Sequence, residues 1–482
     1  MICVVIKGPS FALGYVQIEK AIESGADLVE LYLSSFEDFS ISAVQDLKNA
    51  FAIPMIFTLR HFESEEKRLQ CLLQLAALKP AYLDIESHVP REFVLKVASE
   101  YPEVRLIYSF HDFEKTPKSL KEIYHEMLKT PAFFYKIAVF ANSTIDMLRA
   151  LSLAKGSSNV ILSSMGLLGV PSRIVAPIIG SPITYACLAE DLRTAPGQLT
   201  IEELKCKYHY KELSSHSKIF ALIGNPVDKS LSDITHNDLM QRASFDAVYV
   251  KMLVKSEELE EFFQLIRELP LGGLSVTMPL KEHVMQYLDK IDSEAMSIGA
   301  VNTLVFDQRS ILGFNTDSLG ALNAIELHRP VKGKEVVIIG AGGAAKAIAY
   351  EACKRGALVT ILNRDAAKAI HLAKSLHCNG GGLEKMQECF LQGYDVLINS
   401  TPIEEPINLE YVAPGSIVMD IKTRLMNSSL LEEAKKRNCL IVYGFEMFLE
   451  QAVHQFKLWF KESALKQDIR SILREKLLEL LK

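Results

Sequence analysis

Eight short runs rich in β-branched and aromatic residues punctuate residues 1–212: Cys3–Ile6, Leu28–Leu33, Met55–Leu59, Tyr82–Ile85, Arg105–Phe110, Phe133–Val139, Val160–Ser163 and Ile183–Cys187. Stretches with helical apolar spacing lie between them, such as Glu65–Leu78 and Lys118–Leu128. Strands separated by a helix's length of chain pair in parallel, because a tight turn joins only antiparallel neighbours. Eight such units predict a (β/α)8 barrel, an α/β fold, over residues 1–212.

Chemistry in such a barrel gathers at the C-terminal ends of the strands. That rule selects Glu30 near the end of strand two, Arg60 after strand three, Glu86 after strand four, His111 after strand five and Lys136 within strand six. Arg173 follows strand seven, and Thr194 and Gln198 bound the TAPGQ segment after strand eight. Taken alone, the lysine in FFYKIAV is equally well explained as an end-of-strand residue reaching solvent. Lysine is nonetheless rare inside a buried strand, and a neutral lysine there can attack a ketone to form an imine. Neutrality near pH 7 requires its pKa to fall by about 3 units, or ~4 kcal/mol, which burial and the nearby cations Arg60 or Arg173 are expected to supply.

A polar stretch, Lys205–Ser217, ends this half, and a new strand is expected at Ile219–Ile223. Four motifs then follow in order: SVTMPLKE (Ser275–Glu282), GAVNTL (Gly299–Leu304), GFNTD (Gly313–Asp317) and GAGGAAK (Gly340–Lys346). The first three supply a lysine, amides, hydroxyls and a carboxylate suited to a polyhydroxylated substrate. The fourth lies in EVVIIGAGGAAKAIAYEACK, where an apolar strand turns through glycines into a helix, the setting that a dinucleotide pyrophosphate requires. Gly340, Gly342, Gly343 and Ala344 are the expected cofactor contacts of that turn.

The next strand ends in LNRD. An acidic residue there would bind the free ribose hydroxyls of NAD, whereas Asn363 and Arg364 suit the 2′-phosphate of NADP. Lys368, one turn later, is as readily a second cation for that phosphate as part of a solvated helix face, and Asp365 would repel the phosphate if it turned inward. SVTMPLKE brings Lys281 and GFNTD brings Asp317, and a lysine paired with a carboxylate suits charge at a carbonyl oxygen during hydride transfer. The plain alternative is a solvated lysine at a helix start and an aspartate N-cap.

Composition narrows the rest. A formal net charge of −6 speaks against a nucleic-acid surface, which rests on clustered lysine and arginine. Eight cysteines show no CxxC pair and no local metal-ligand spacing, so they read as reduced thiols of a cytoplasmic protein, with no metal site. MICVVIKGPS opens on a strand rather than a signal peptide, and Ile174–Ala189 is interrupted by Pro177, Gly180 and Pro182, so no membrane span is expected.

YSFHDFEKTP, YKIAV, SSMGLLGVPSR and TAPGQ, spread over residues 1–212, resemble the type I 3-dehydroquinate dehydratase family. The resemblance implies that Lys136 forms a Schiff base with the substrate ketone, that His111 moves protons as general base and acid, and that Glu86 orients His111. It also implies that Arg173 binds the substrate carboxylate, that Glu30, Arg60, Thr194 and Gln198 line the same pocket, and that no metal or diffusible cofactor is needed. Two places depart from the family's pattern. Its Glu-x-Arg-x-Asp at the end of strand two survives only in Glu30, with Tyr32 and Ser34 at the other positions, and its Glu-Gly-Gly after the strand-three arginine is replaced by HFESEE. With one substrate-facing cation missing, weaker or altered substrate binding with intact imine chemistry is expected.

GNPVDKSLSDITHN and the four later motifs, from Ser217 to the C-terminus, resemble shikimate dehydrogenase. This implies a substrate-binding domain at 217–329, a Rossmann NADP-binding domain at 330–443 and C-terminal helices at 444–482 that return to pack on the substrate domain. Ser230 and Ser232 are implied for the substrate carboxylate, Thr277 and Asn302 for its hydroxyls, Gln451 for a further polar contact, Gly444 for the cofactor, and Lys281 with Asp317 as the catalytic pair. Thr423 stands where the family has a tyrosine after Asp420, Leu425 where proline is common, and Glu404 where a glycine is expected.

Together the two resemblances imply a fused enzyme that dehydrates 3-dehydroquinate to 3-dehydroshikimate and reduces that product to shikimate with NADPH. Its partners would be these small molecules, with neither nucleic acid nor membrane, and its oligomeric state is left open. The arrangement is like that of plant enzymes, although no transit peptide is expected ahead of the barrel. Two other readings stand beside it. One is a shikimate dehydrogenase with an inactive or sensor-like barrel, or a sensor throughout, which would have no chemical reason to keep Lys136, His111, Lys281 and Asp317 together; the other, an NAD-dependent quinate dehydrogenase, is disfavoured by Arg364.

Overall fold

Parallel strands covered on both faces are apolar almost throughout rather than alternating, and that property locates the strands of the first half. The computed structural model describes residues 1–308, 310–422 and 428–481. Its first strands are β1 (Ile2–Ile6), β2 (Leu28–Tyr32), β3 (Met55–Thr58), β4 (Tyr82–Glu86), β5 (Arg105–Asp112), β6 (Phe134–Phe140), β7 (Val160–Met165) and β8 (Thr184–Cys187). They form a curled parallel sheet in the order β7-β6-β5-β4-β3-β2-β1-β8, and a short strand β9 (Leu199–Thr200) lies beside β8. β7 and β8 come together across the seam, where the Ser181 hydroxyl accepts from the Leu162 N–H at 3.0 Å.

Cys3, Leu28, Ile56, Tyr82, Ile107, Phe134 and Ile161 fill part of the barrel interior, which is therefore packed and not a pore. Serine caps set where several helices begin: Ser10, Ser40, Ser64 and Ser143 each accept a backbone N–H three residues on, and Ser143 forms a capping box with Asp146. Two strands run further than their side chains suggest. Glu86 is the last residue of β4, and His111 lies inside β5, whose pairing with β6 continues to Asp112 opposite Val139. Arg173 sits on a short helix, Val170–Ile174.

Internal packing divides the chain into two units, Met1–Ile219 with Asp246–Leu271, and Phe220–Phe245 with Gly272–Lys482. In the first, helix Leu259–Ile266 packs against helix Thr144–Ala154, and Arg149 pairs with Glu261 at 2.6 Å.

The second unit contains two sheets. In one, Thr303–Asp307 pairs antiparallel with both Leu271–Val276 and Ser310–Phe314, and Lys290–Ile291 joins the edge in parallel. The other has six parallel strands in the order Asn379–Gly382, Leu358–Asn363, Glu335–Ile339, Val396–Asn399, Ile417–Asp420, Leu440–Tyr443. That is strand order 3-2-1-4-5-6, the doubly wound arrangement of dinucleotide-binding sheets. Val336 and Ile338 enter one buried cluster while Val337 and Ile339 enter another, so both faces of the central strand are covered. Helix Gly444–Phe460 crosses helix Asp317–Glu326 closely at Gly320, where a Cβ would stand 2.8 Å from the Gln451 Cβ. Helix Ile469–Leu480 packs on helix Ser232–Arg242, with Arg242 and Glu475 paired at 2.8 Å. Among the described residues no helix is long and apolar enough to cross a membrane.

Candidate active sites

Lys136 projects from the middle of β6 and is buried, at 4% exposure. Its Nζ donates to Glu30 Oε2 on β2 at 3.0 Å and to Asp84 Oδ2 on β4 at 3.1 Å. Ser109 on β5 in turn donates to the other oxygen of Asp84. This arrangement corrects the expectation of a lowered lysine pKa. Burial does push Lys136 down, but Glu30 and Asp84 outweigh burial and the repulsion from Arg60, and the net direction is upward. Two buried carboxylates within hydrogen-bond reach favour the ammonium.

His111 is the opposite case. Burial first, then Arg60 and Lys136, hold its imidazole well below the usual histidine value, which leaves it neutral and able to accept a proton. Arg60 Nη2 reaches His111 Nε2 at 2.6 Å, so that nitrogen is the acceptor and the proton resides on Nδ1. Nδ1 faces Glu86 Oε1 at 3.9 Å, too long for a hydrogen bond. Arg68 holds Glu86 from its other side. Its guanidinium, almost fully buried, donates to the other Glu86 oxygen at 3.3 Å, to the Leu59 carbonyl at 3.1 Å and to Glu65, and contacts His88 Nε2 at 3.1 Å.

The departures at the end of β2 also have places. The Tyr32 ring lies beneath the Arg60 guanidinium at 5.9 Å, and Ser34 Oγ accepts the N–H groups of Arg60 and His61 at 2.9 and 3.0 Å. Arg173 is buried and has no carboxylate within ion-pair distance among the described residues. Its Nη1 donates to the Tyr185 carbonyl at 3.5 Å, and burial lowers its pKa to about 10. A buried, unmatched guanidinium suits an anionic substrate group. The Thr194 N–H and hydroxyl both donate to Gln198 Oε1, at 2.8 and 3.1 Å, so these two residues brace one loop.

In the second unit Lys281 stands on a four-residue helix, Leu280–His283, and its Nζ meets Asp317 Oδ2 at 2.5 Å. Asn302 Nδ2 donates to the other Asp317 oxygen at 2.8 Å, while Asn302 Oδ1 accepts from the Thr316 N–H and the Thr303 hydroxyl, each at 2.8 Å. Gln455 anchors Thr303 at 2.9 Å, and Gln451 Oε1 lies 3.4 Å from the Thr316 hydroxyl. The carboxylate opposite the lysine is therefore held in one orientation. Ser230 and Ser232 lie side by side with hydroxyls 2.8 Å apart, and Thr277 is tied by its backbone N–H to the Ile223 carbonyl at 2.9 Å.

The glycine turn approaches this pair. A Cβ at Gly343 would stand 3.3 Å from Lys281 Cδ. Gly340 has φ +120°, and a side chain there would meet Ser400 Oγ at 2.4 Å, so only glycine fits. Gly342 caps helix Gly343–Lys354, which leaves the first amides of that helix, including that of Ala344, for a phosphate. Asn363 closes its strand, and Arg364 is exposed with no ion pair among the described residues. Asp365 turns to cap helix Ala366–Ser375, accepting from Lys368 N at 3.3 Å, and does not oppose a phosphate. These features fit a 2′-phosphorylated dinucleotide. Gly444 begins its helix against the backbone of Ile421 and Lys422. Glu404 is exposed, 3.5 Å from the Ser429 hydroxyl, and Thr423 and Leu425 lie outside the described residues.

Sequence reasoning passed over Asp84, Arg68, Thr303 and Gln455. Asp84 carried a usable signal, because a carboxylate inside the apolar YLDIE run is as anomalous as the lysine in FFYKIAV.

Comparison with known proteins is consistent along the chain. Residues 2–215 match the type I 3-dehydroquinase family, residues 222–304 the shikimate dehydrogenase substrate binding domain, and residues 323–415 the shikimate/quinate 5-dehydrogenase family. The chain is 37% identical over 471 residues to the shikimate biosynthesis protein AroDE of Chlamydia pneumoniae, covering 96% of each. It is 32% identical to the chloroplastic bifunctional 3-dehydroquinate dehydratase/shikimate dehydrogenase of Arabidopsis thaliana, over 95% of this chain and 82% of that protein. Among solved structures, it is similar to a shikimate dehydrogenase in complex with NADP+, with 33% identity and a TM-score of 0.52 over 56% of this chain and 98% of that one.

Proposed function

Because the chain belongs to the bifunctional 3-dehydroquinate dehydratase/shikimate dehydrogenase family, we propose a division of labour in which Lys136 and His111 carry the dehydration and Lys281 and Asp317 the reduction. The protein is a lyase and an NADP-dependent oxidoreductase of the shikimate pathway. The observation that carries the residue assignment is that Lys136 in one unit and Lys281 in the other are each held against carboxylate beside the groups the reaction needs.

In the barrel, Arg173 takes the carboxylate of 3-dehydroquinate. The Lys136 ammonium passes a proton to Glu30 or Asp84, and the amine attacks the ketone with loss of water. The iminium acidifies the neighbouring carbon, from which neutral His111 removes a proton. That proton leaves with the departing hydroxyl as water, and hydrolysis of the iminium frees 3-dehydroshikimate and the lysine. Glu86, held from its other side by Arg68, faces the Nδ1 edge of His111 as the ring takes up the proton.

In the second unit Ser230 and Ser232 take the substrate carboxylate, and Thr277, Asn302 and Gln451 take its hydroxyls. Gly340, Gly342, Gly343 and Ala344 would hold the pyrophosphate of NADP, Gly444 would be a further contact, and Asn363 and Arg364 would hold the 2′-phosphate. Bound NADPH supplies the hydride. Lys281 donates to the substrate oxygen as negative charge develops there, and Asp317, fixed by Asn302, holds the ammonium in line.

We place residues 1–212 as the dehydratase, 217–329 and 444–482 as the substrate-binding part of the dehydrogenase, and 330–443 as its cofactor-binding part. The eight free thiols support a reducing, cytoplasmic setting. Treating the protein with borohydride in the presence of 3-dehydroquinate and mapping the adduct tests the imine assignment. Label on Lys136 is expected, and label on another lysine would contradict it.

A further inference from the structure

The inward side chains of an eight-stranded barrel stack in layers of four, each layer drawn from alternate strands. Glu30 on β2, Asp84 on β4, Lys136 on β6 and Tyr185 on β8 come from the four even strands, and the other three all touch Lys136. Two of the contacts are the carboxylate hydrogen bonds already described. The third is the Tyr185 ring, whose centroid lies 4.2 Å from Lys136 Nζ, and Tyr185 is 6% exposed.

We propose that Tyr185 is a positioning residue of the dehydration site, holding the Lys136 nitrogen against its ring face by a cation–π contact that persists from ammonium to iminium. The proposal rests on the imine reading of Lys136. The three contacts do not survive imine formation equally. An ammonium has three N–H donors and can serve Glu30 and Asp84 together. A protonated imine keeps one, so at least one carboxylate must release the nitrogen. The ring contact uses the positive charge and needs no donor, so it remains in the iminium and relaxes only as the neighbouring carbon loses its proton and the nitrogen becomes that of a neutral enamine. A cation–π contact is also stronger in a desolvated interior than at a surface.

The other charged and titratable groups that act on Lys136 are Glu30 on β2, Asp84 on β4, Arg60 after β3, His111 on β5 and the Cys3 thiol on β1. A change confined to the electron density of the Tyr185 ring leaves all of them in place. Such a change also separates this role from simple space filling, because fluorinated rings keep nearly the same shape while losing the negative face.

The test uses the full chain with Tyr185→Phe as reference and phenylalanines bearing one, two and three ring fluorines at the same position. Borohydride trapping of 3-dehydroquinate on Lys136 is followed against pH, together with kcat for dehydration. Weakening the ring face destabilises the cationic lysine, so the pH of half-maximal trapping should fall stepwise, by about one pH unit in total. Dehydration kcat should fall in the same order by roughly tenfold. An identical midpoint and kcat across a series that still traps at Lys136 would overturn the role of Tyr185 alone. Absence of trapping at Lys136 in the unaltered protein would overturn the imine reading and the role of Tyr185 with it.

Discussion

Each unit sets a lysine against a carboxylate, yet the two lysines are housed in opposite ways. Lys136 is 5% exposed in its side chain, in the middle of a strand, gripped by two carboxylates and faced by a ring. Lys281 is 17% exposed, on a single helical turn, and meets one carboxylate whose orientation is fixed by Asn302. The difference follows from what each nitrogen must do. A lysine that attacks carbon has to give up a proton, so acceptors are packed beside it. A lysine that steadies a developing oxyanion has to keep its donors, so it needs a fixed partner and an open side towards substrate and cofactor.

Substitutions can break this contrast, beginning with the most drastic. Lys136→Ala should lower dehydration by at least about a thousandfold while leaving reduction of 3-dehydroshikimate intact, as separate assays of the two steps would show. Asp317→Asn should have the mirror effect, lowering kcat for reduction by about 10² to 10³ with dehydration unchanged. If either variant impaired both steps equally, the separation of roles would fail.

The pH profile sharpens the barrel half. Because burial and Arg60 hold His111 below its ordinary value, the acid limb of kcat/KM for dehydration should lie below about pH 6.5. Arg60→Met should move that limb upward. The linked stability effect has a definite sign. As pH falls through about 6.5 the unfolded chain takes up the histidine proton before the folded chain does, so stability is lost on acidification down to the folded value, and Arg60→Met should reduce the loss. A limb unmoved by the substitution would count against the Arg60–His111 contact.

Two smaller effects concern specificity. Arg364→Ser should raise KM for NADPH by about tenfold and leave KM for NADH nearly unchanged, the size of one exposed charge-assisted contact. Tyr32→Arg should lower KM for 3-dehydroquinate by roughly threefold, a surface-scale gain, because it restores a cation beside Arg60. An unchanged or raised KM would show that the tyrosine has been accommodated rather than merely substituted.

The barrel strands were legible because strands covered on both faces leave long apolar runs. Their ends were less so: Glu86 and His111 look like loop residues by type, and only backbone pairing with the neighbouring strand keeps them in the ladder. The charge on Lys136 was misjudged for a related reason. Its partners Glu30 and Asp84 are 106 and 52 residues away, and closure of the sheet brings them to it. Arg68 was invisible, since an arginine in SEEKR reads as part of a solvated helix face, yet it is buried against Glu86. The second site was easier to read because its motifs are local, although Gln455 reaches Thr303 across 152 residues and left no pattern in the sequence.

The central claim is that both lysine sites work in one chain. NADPH oxidation by the purified protein, started in parallel with 3-dehydroquinate and with 3-dehydroshikimate and with shikimate identified as product, tests it most directly. Shikimate from both substrates is the predicted result. Shikimate from 3-dehydroshikimate alone would contradict the account of the barrel, and shikimate from neither would contradict both halves.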